Sequence, residues 1–461
     1  MSLIKSISGI RGTIGGRPGD GLSPLDVVKF TTAFATFLQR KNPGRRLRLA
    51  VGRDARISGP MVDRLVVGTL AGCGVDVLET GLSTTPTVEM TVIDGRLDGG
   101  IIITASHNPK HWNALKLLGA SGEFISDADG KEVLRLAESD ELEYAQVDDL
   151  GRVTVEEDWI DRHIKRVVAL PLVDCKAIAK AGFRVAVDAV NSTGGLAIPR
   201  LLHALGVKDV VELNCEPTGK FAHNPEPIPE NLEDISRVVR ENGCDLGVVV
   251  DPDVDRLALV CEDGRMFGEE YTLVSVADYV LDHTPGNTVS NLSSSRALRD
   301  VTQRRAGCQY NAAAVGEVNV TTLMRQTNAV IGGEGNGGVI YPELHYGRDA
   351  LVGTALFLTL LAKSGLKASE LRRTYPEYVI TKNRRDLTPD MDVDALLRRV
   401  AASYEGQPGC TVTTIDGVKI DFADGWVHLR KSNTEPIVRI YAEAADEARA
   451  NQLAESVMRE M

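Results

Sequence analysis

Apolar residues along this chain fall in short unbroken runs, and each run ends abruptly in a small polar loop. The runs at 47–51, 183–187 and 288–292 read as strands buried on both faces, leading into GRDARISG, DAVNSTGG and SSSRALRD and then into helical periodicity. A second strand is predicted after each helix, at 75–78, 209–213 and 309–314. A third follows at 100–103, 246–250 and 329–331. Strands alternating with helices imply largely parallel sheets covered on both faces, so the chain reads as three copies of one α/β/α unit. From about residue 381 the order changes to strand, helix, strand, strand, helix. A helix is predicted at 392–402, a hairpin at 417–422 and 426–430 about 423–425, a strand at 437–442, and a last helix from 445.

The predicted fold class is therefore α/β: three similar α/β/α domains with mixed, largely parallel sheets, plus a smaller C-terminal α+β domain, around a central cleft. Domain limits are expected at 1–152, 153–262, 263–372 and 378–461, with a hinge near 369–379, which contains Pro376. The most apolar run, 350–362, is too short to span a bilayer and includes Thr354 and Thr359, so it is read as a buried helix.

Length and composition agree: 461 residues exceed what one core organises, and 43% hydrophobic with 25% charged residues is the balance of a soluble globular protein. Seven scattered cysteines without a CxxC pair suit a reducing compartment and offer no zinc site. The N-terminal segment lacks the apolar core of a signal peptide, so the expected location is the cytoplasm, as a monomer or homodimer with no membrane partner. A net charge of −12 argues against nucleic-acid binding but not against a small anionic substrate. Basic residues do gather in loops after strands: Arg11, Lys116, Arg256, Arg348, Arg430, Lys431 and Arg439.

The loops after the third strand of each unit carry the chemistry. Ligands in open α/β sheets collect outside the carboxyl ends of strands, so equivalent loops of three repeats can share a site. In TASHNP, Ser106 offers a hydroxyl beside Thr104, His107 and Asn108. An unassisted hydroxyl is a weak nucleophile and needs a metal or a base. In DPDVDR, Asp251, Asp253 and Asp255 stand at alternate positions leaving a buried strand, where their carboxylates can meet around Mg²⁺, while Arg256 presents a fork to phosphate. The third loop, GGEGNGG, matches no nucleotide fingerprint and holds Glu334 and Asn336 on a flexible backbone, a way to grip sugar hydroxyls. Near the C-terminus RKSNTEP concentrates donors that can wrap a phosphate.

These four loops, in this order and over essentially the whole chain, resemble the α-D-phosphohexomutase family, which includes phosphoglucomutases, phosphomannomutases and phosphoglucosamine mutases. The resemblance implies that Ser106 carries phosphate, that Asp251, Asp253 and Asp255 bind Mg²⁺ with the phosphoserine as a further ligand, and that Glu334 and Asn336 bind sugar hydroxyls. It places Arg430, Ser432, Asn433 and Thr434 at the distal phosphate, with Arg439 nearby, and Arg11, His107, Lys116 and Arg256 around the reacting group. The implied reaction passes phosphate from the serine to a hexose 6-phosphate, through a hexose 1,6-bisphosphate that is both intermediate and activator, and back. Lys116 is the expected base, its pKa lowered by neighbouring cations. Three departures stand out: Pro252 in the metal loop, Asn336 and Gly338 where serine and histidine are common, and Glu317 in VGEVNV where some members have histidine. Glu317 is therefore only a sugar or proton contact in this reading. The opening ISGIRGTIGG with the GEGNGG, SNTEP and YPELHYGRDA segments most resembles a phosphoglucosamine mutase, with a broader phosphomannomutase/phosphoglucomutase as the alternative. A more distant alternative is a sugar phosphatase with Asp251 as nucleophile, which leaves TASHNP and RKSNTEP without a role.

Overall fold

The computed structural model describes residues 3–6, 9–388, 391–431 and 437–461. The chain forms two compact units, residues 1–272 with 336–371, and residues 273–335 with 372–461.

In the first unit the strand Arg48–Arg53 lies parallel to Asp76–Leu82 on one side and to Gly99–Ile103 on the other. Its side chains alternate faces as the two-residue period requires. Leu49, Val51, Ile101 and Ile103 join a core with the helices Pro24–Lys41 and Gly59–Gly72, while Ala50 and Ile102 join another with Val88 and Val92 of helix Thr85–Asp94. Both faces are covered, which is why these runs are apolar throughout rather than alternating. A second sheet orders Leu257–Cys261, Leu246–Val250, Arg184–Asp188 and Asp209–Leu213.

In one respect the repeats differ from the sequence expectation. The segments after Gly99–Ile103 and Leu246–Val250 do not enter helices. Each turns back into an antiparallel strand, Trp112–Gly119 and Leu257–Cys261. Ladders thus pin the serine loop and the aspartate loop at both ends.

The helix Pro24–Lys41 starts at a reciprocal capping box: Asp26 N–H donates to Ser23 Oγ at 3.4 Å and Ser23 N–H to Asp26 Oδ2 at 3.0 Å. The run read as a buried helix forms Ala350–Ser364. Its buried Thr354 and Thr359 hydroxyls donate to the carbonyls of Ala350 and Ala355 four residues back, so no polar group is stranded. No helix among the described residues is long and apolar enough to cross a membrane.

The second unit holds three parallel strands, with Asn287–Asn291 between Tyr310–Ala313 and Ala329–Glu334. Its other sheet is antiparallel, ordered Val379–Asp386, Ile437–Ala444, Gly425–Lys431, Val418–Asp421 and Thr411–Thr413. The predicted hairpin forms, and the helices Val393–Tyr404 and Glu447–Met458 share a core with this sheet. Removing the capping hydroxyl with Ser23→Ala is expected to lower stability by about 1 kcal/mol, read as a lower midpoint in urea denaturation.

Candidate active site

Ser106 and the three aspartates meet in the first unit. Ser106 Oγ donates to Asp251 Oδ2 at 2.6 Å, with Ser106 7% exposed and the three aspartates fully buried. The convergence does not come from strand alternation, as the spacing suggested, but from a turn. Val254 sits at φ 65° and donates its N–H to Asp251 O, and the amides of Asp255 and Arg256 both reach Asp251 Oδ1 at 3.2 Å. The outer oxygens of the other two carboxylates are also anchored. Thr85 Oγ1 (2.6 Å) and Lys116 Nζ (2.7 Å) donate to Asp253 Oδ2, and Arg348 Nη2 donates to Asp255 Oδ2 at 2.7 Å.

That leaves Asp253 Oδ1 and Asp255 Oδ1 buried with no hydrogen-bond partner among the described residues. One ligand oxygen from each aspartate lies within 4.8 Å of the others. Buried carboxylate oxygens without donors are costly, and an all-oxygen set suits a hard divalent cation. The charges agree. Burial, reinforced by Asp253 and Asp255, pushes the Asp251 carboxyl well above the ordinary range. Burial acts the same way on Asp253, but Lys116 outweighs it and holds that group below the ordinary range. The carboxylates repel one another at Asp251, a repulsion that a cation would relieve.

Lys116 departs from expectation. Burial favours its neutral amine, yet Asp253 and Asp255 outweigh burial and hold the ammonium above its ordinary value. The sequence points to its basic neighbours and hides the carboxylates that the fold brings closer. His107, by contrast, is pushed well below its usual value by burial and by Arg256 and Arg11, so it is a neutral imidazole, with Nδ1 3.4 Å from Ser106 Oγ. Arg11 Nη1 reaches Asn108 Oδ1 at 3.4 Å. Arg256 stands 3.8 Å from Glu226 and 4.0 Å from Asp255, and its Nε has no hydrogen-bond acceptor among the described residues.

The residue that organises the serine loop is not among those the sequence singles out. Arg56, in the GRDARISG loop, is fully buried. It pairs with Asp54 at 3.0 Å and donates to the carbonyls of Ser106, Asn108 (2.7 Å), Pro109 (2.8 Å) and Trp112 (3.0 Å). Asp54 in turn accepts from Thr104 Oγ1 at 2.6 Å, and that oxygen accepts the Ser106 N–H at 2.9 Å. These contacts hold Ser106 at φ 49°, a left-handed conformation that a serine keeps only when its surroundings enforce it. The available signal is a charged pair directly after a buried strand.

A second network fixes Arg348. Its neighbour Asp349 caps the helix Ala350–Ser364 and lies 3.0 Å from His163 Nε2 and 3.3 Å from His345 Nε2. His345 Nδ1 is 3.2 Å from Glu89. Gly347 permits this approach, because a Cβ there would stand 1.9 Å from Glu89 Oε2. Burial opposes charge on His345, but the hydrogen bond to Asp349 and the nearby Glu89 carboxylate raise it to about 10.

The remaining predicted residues, apart from Asn336, lie in the second unit. Glu334 is not on a flexible loop. It ends the strand Ala329–Glu334, is 5% exposed, and accepts from Asn291 Nδ2 (2.9 Å) and from the Gly316 amide (3.1 Å). Glycines alone suggest looseness, whereas the buried strand continues further than its last branched residue. Glu317 is buried as the first residue of helix Glu317–Thr327. The adjacent Val315 amide reaches Asp416 Oδ2 at 3.0 Å, 3.8 Å from Arg430 Nη1, so Glu334 and Arg430 share one region of this unit. Arg430 faces Arg439 across the ladder, and Arg439 faces Arg384, which the sequence does not single out. Asn336, in the first unit, accepts from the Gly338 amide at 3.2 Å. Ser432, Asn433 and Thr434 fall outside the described residues.

Two outcomes follow. Arg56→Met leaves the buried Asp54 without its cation and is expected to cost about 3–5 kcal/mol, read by thermal denaturation. His345 has a folded pKa above its unfolded value of about 6.5. Its stabilising contribution is therefore complete below that value and is lost as pH rises towards about 10. Unfolding temperature should fall across that window in the wild type, and His345→Gln should flatten the slope.

Comparison with known proteins places this geometry. The phosphoglucomutase/phosphomannomutase α/β/α domains I, II and III match residues 3–143, 161–264 and 268–378, and the C-terminal domain of that family matches 380–460. A phosphoglucomutase/phosphomannomutase from Thermococcus kodakarensis is 38% identical over 96% of each chain. A phosphoglucosamine/phosphogalactosamine mutase from Sulfurisphaera tokodaii is 33% identical over 98% of each. Among solved structures, a phosphoglucomutase/phosphomannomutase family protein from Burkholderia thailandensis superposes with a TM-score of 0.85 at 26% identity, covering 99% of this chain and 96% of its own. Four domains matched in their proper order, with relatives this similar along nearly the full length, make the chain a member of the phosphoglucomutase/phosphomannomutase family, the α-D-phosphohexomutases.

Proposed function

We propose that this phosphohexomutase interconverts hexose 6-phosphate and hexose 1-phosphate through a phosphorylated Ser106, with glucosamine phosphate as its preferred substrate. The observation that carries the reading is the Ser106 Oγ–Asp251 contact of 2.6 Å beside two donorless carboxylate oxygens. A hydroxyl held there sits where a cation bound by Asp251, Asp253 and Asp255 would meet a phosphate on it. When bound, Mg²⁺ supplies charge neutralisation to the transferring group.

The chain's own residues do the rest. As the Ser106 Oγ–P bond breaks, a new P–O bond forms to a sugar hydroxyl, and the hydroxyl proton must leave. Lys116 lies within the site as an ammonium held by Asp253 and Asp255, so we assign it as the base for this step only after its own proton has passed to one of those carboxylates. Neutral His107 adjoins Ser106, and Arg256, whose Nε has no hydrogen-bond partner among the described residues, is assigned to the charge on the transferring group. The 1,6-bisphosphate then reverses its orientation, and its other phosphate returns to Ser106. For the non-reacting phosphate we assign Arg430, Ser432, Asn433 and Thr434. Arg384, Arg439 and Arg430 stand opposite one another on three adjacent strands, a row of like charges that an anion stabilises. Glu334, Asn336 and Glu317 are assigned to sugar contacts.

Relatives named for glucosamine phosphates favour that substrate, whereas the 38% identical relative is named for glucose and mannose phosphates and sustains the broader alternative. A coupled assay comparing glucosamine, glucose and mannose 6-phosphates decides it, with the highest kcat/KM expected for glucosamine. Ser106→Ala should abolish turnover while largely preserving substrate binding, and a normal rate with weakened binding would reject the serine's role. Arg430→Ala should raise KM by about tenfold or more, the loss of one charge-assisted bond. Chelation with EDTA should stop the reaction and Mg²⁺ should restore it.

A further inference from the structure

The second unit contains a cavity of about 360 Å³ whose wall includes Arg296, Arg299, Asn311, Lys419 and Asp421. It lies beside two outer strands, Tyr310–Ala313 of the parallel sheet and Thr411–Thr413 of the antiparallel one. Lys419 and Asp421 are two residues apart on one strand and so share a face, and Thr413 pairs with Lys419 in register.

Two donors on this wall are unsatisfied. Lys419 is 5% exposed, yet no hydrogen-bond acceptor among the described residues serves its ammonium, which stands 4.5 Å from the centre of the Trp426 ring. An aromatic face offsets only part of the cost of taking an ammonium out of water. Asn311 Nδ2 is buried and likewise without a partner. A third donor is loosely held: among the described residues Arg299 hydrogen-bonds only Asp300, at 3.4 Å. Arg296 is different, since its guanidinium donates to the carbonyls of Phe422 and Ala423 and it serves as wall rather than ligand. Burial pulls the Lys419 ammonium below its ordinary value, opposed by Asp421 and Glu443 and aided by Arg296 and Arg299.

We propose that this cavity binds a small phosphate monoester, its phosphate held by Lys419, Asn311 and Arg299 and its hydroxyl groups by Asp421 and Thr413. Three donors of different kinds on the wall of one cavity match in number the three terminal oxygens of a phosphate. The volume exceeds what a bare ion fills and falls in the range of small-molecule sites. Asp421 gives a neutral hydroxylated body something to donate to and repels a second anion. The site is separate from the Lys431 end of the strand Gly425–Lys431. Asp421 adjoins the Gly425 end of that strand, roughly 20 Å along the chain from its other end. A ligand here would bridge the two sheets of the unit without reaching Lys431.

The probe is glycerol 3-phosphate. Acylation of Lys419 in the full chain, followed by peptide mass spectrometry, should be suppressed by glycerol 3-phosphate and not by glycerol, with exposed Lys131 as the unaffected control. Arg299→Gln and Asn311→Leu should each raise the half-protecting concentration by about tenfold. Calorimetric titration is an independent check: Lys419→Met should remove one binding site from the wild-type stoichiometry and leave turnover intact. Protection unaltered by Arg299→Gln and Asn311→Leu, or an unchanged stoichiometry in Lys419→Met, would overturn the proposal. So would equal protection by inorganic phosphate, which would mean an adventitious ion only.

Discussion

Three fully buried carboxylates within 4.8 Å of one another impose the governing constraint on the first unit. Like charges at that separation in a poorly solvated interior repel strongly unless cations stand close. The fold answers with Lys116 and Arg348 on the outer oxygens and leaves the inner oxygens of Asp253 and Asp255 without donors. A divalent ion would complete that arrangement. Much of the surrounding structure serves to keep the residues in place against their repulsion.

Keeping them in place is a matter of backbone as much as of charge. Both reactive loops are closed at each end by strand ladders, so neither can relax without breaking a sheet. Arg56 adds a second restraint by committing its guanidinium to Asp54 and to four carbonyls of the serine segment. The carbonyls of the aspartate segment are held in the same way, since Ser192 and Thr193 hydroxyls both reach Pro252 O, at 2.7 and 2.9 Å. These contacts come from the equivalent loop of the neighbouring strand in each sheet. In each sheet, therefore, one loop holds its neighbour in place.

The second unit meets a different electrostatic problem, positive charges gathered at two places. Arg384, Arg439 and Arg430 line up across three strands, and Lys419 is buried over Trp426 without an acceptor among the described residues. Both arrangements favour anions, at separate places on the same sheet.

The chain's own letters were enough for the three predicted strands of each repeat and for singling out the serine and the aspartates that the fold brings together. Hydrophobic runs of strand length bounded by polar loops depend on local spacing, and a hydroxyl or three carboxylates at the end of a buried strand keep their chemistry in any packing. The hairpin at 418–431 was equally plain, because its turn chemistry is local. The tertiary structure decided what depends on partners distant along the chain. Lys116 holds its proton because Asp253 and Asp255, over 130 residues away, lie against it. Glu334 is fixed rather than loose because Asn291 and Gly316 reach it. Arg56 and Arg384 gain their roles only from register and burial. Composition and spacing fix which groups a chain owns, but a pKa, an orphaned oxygen or an anchored loop is a sum over neighbours, and neighbours are chosen by the fold.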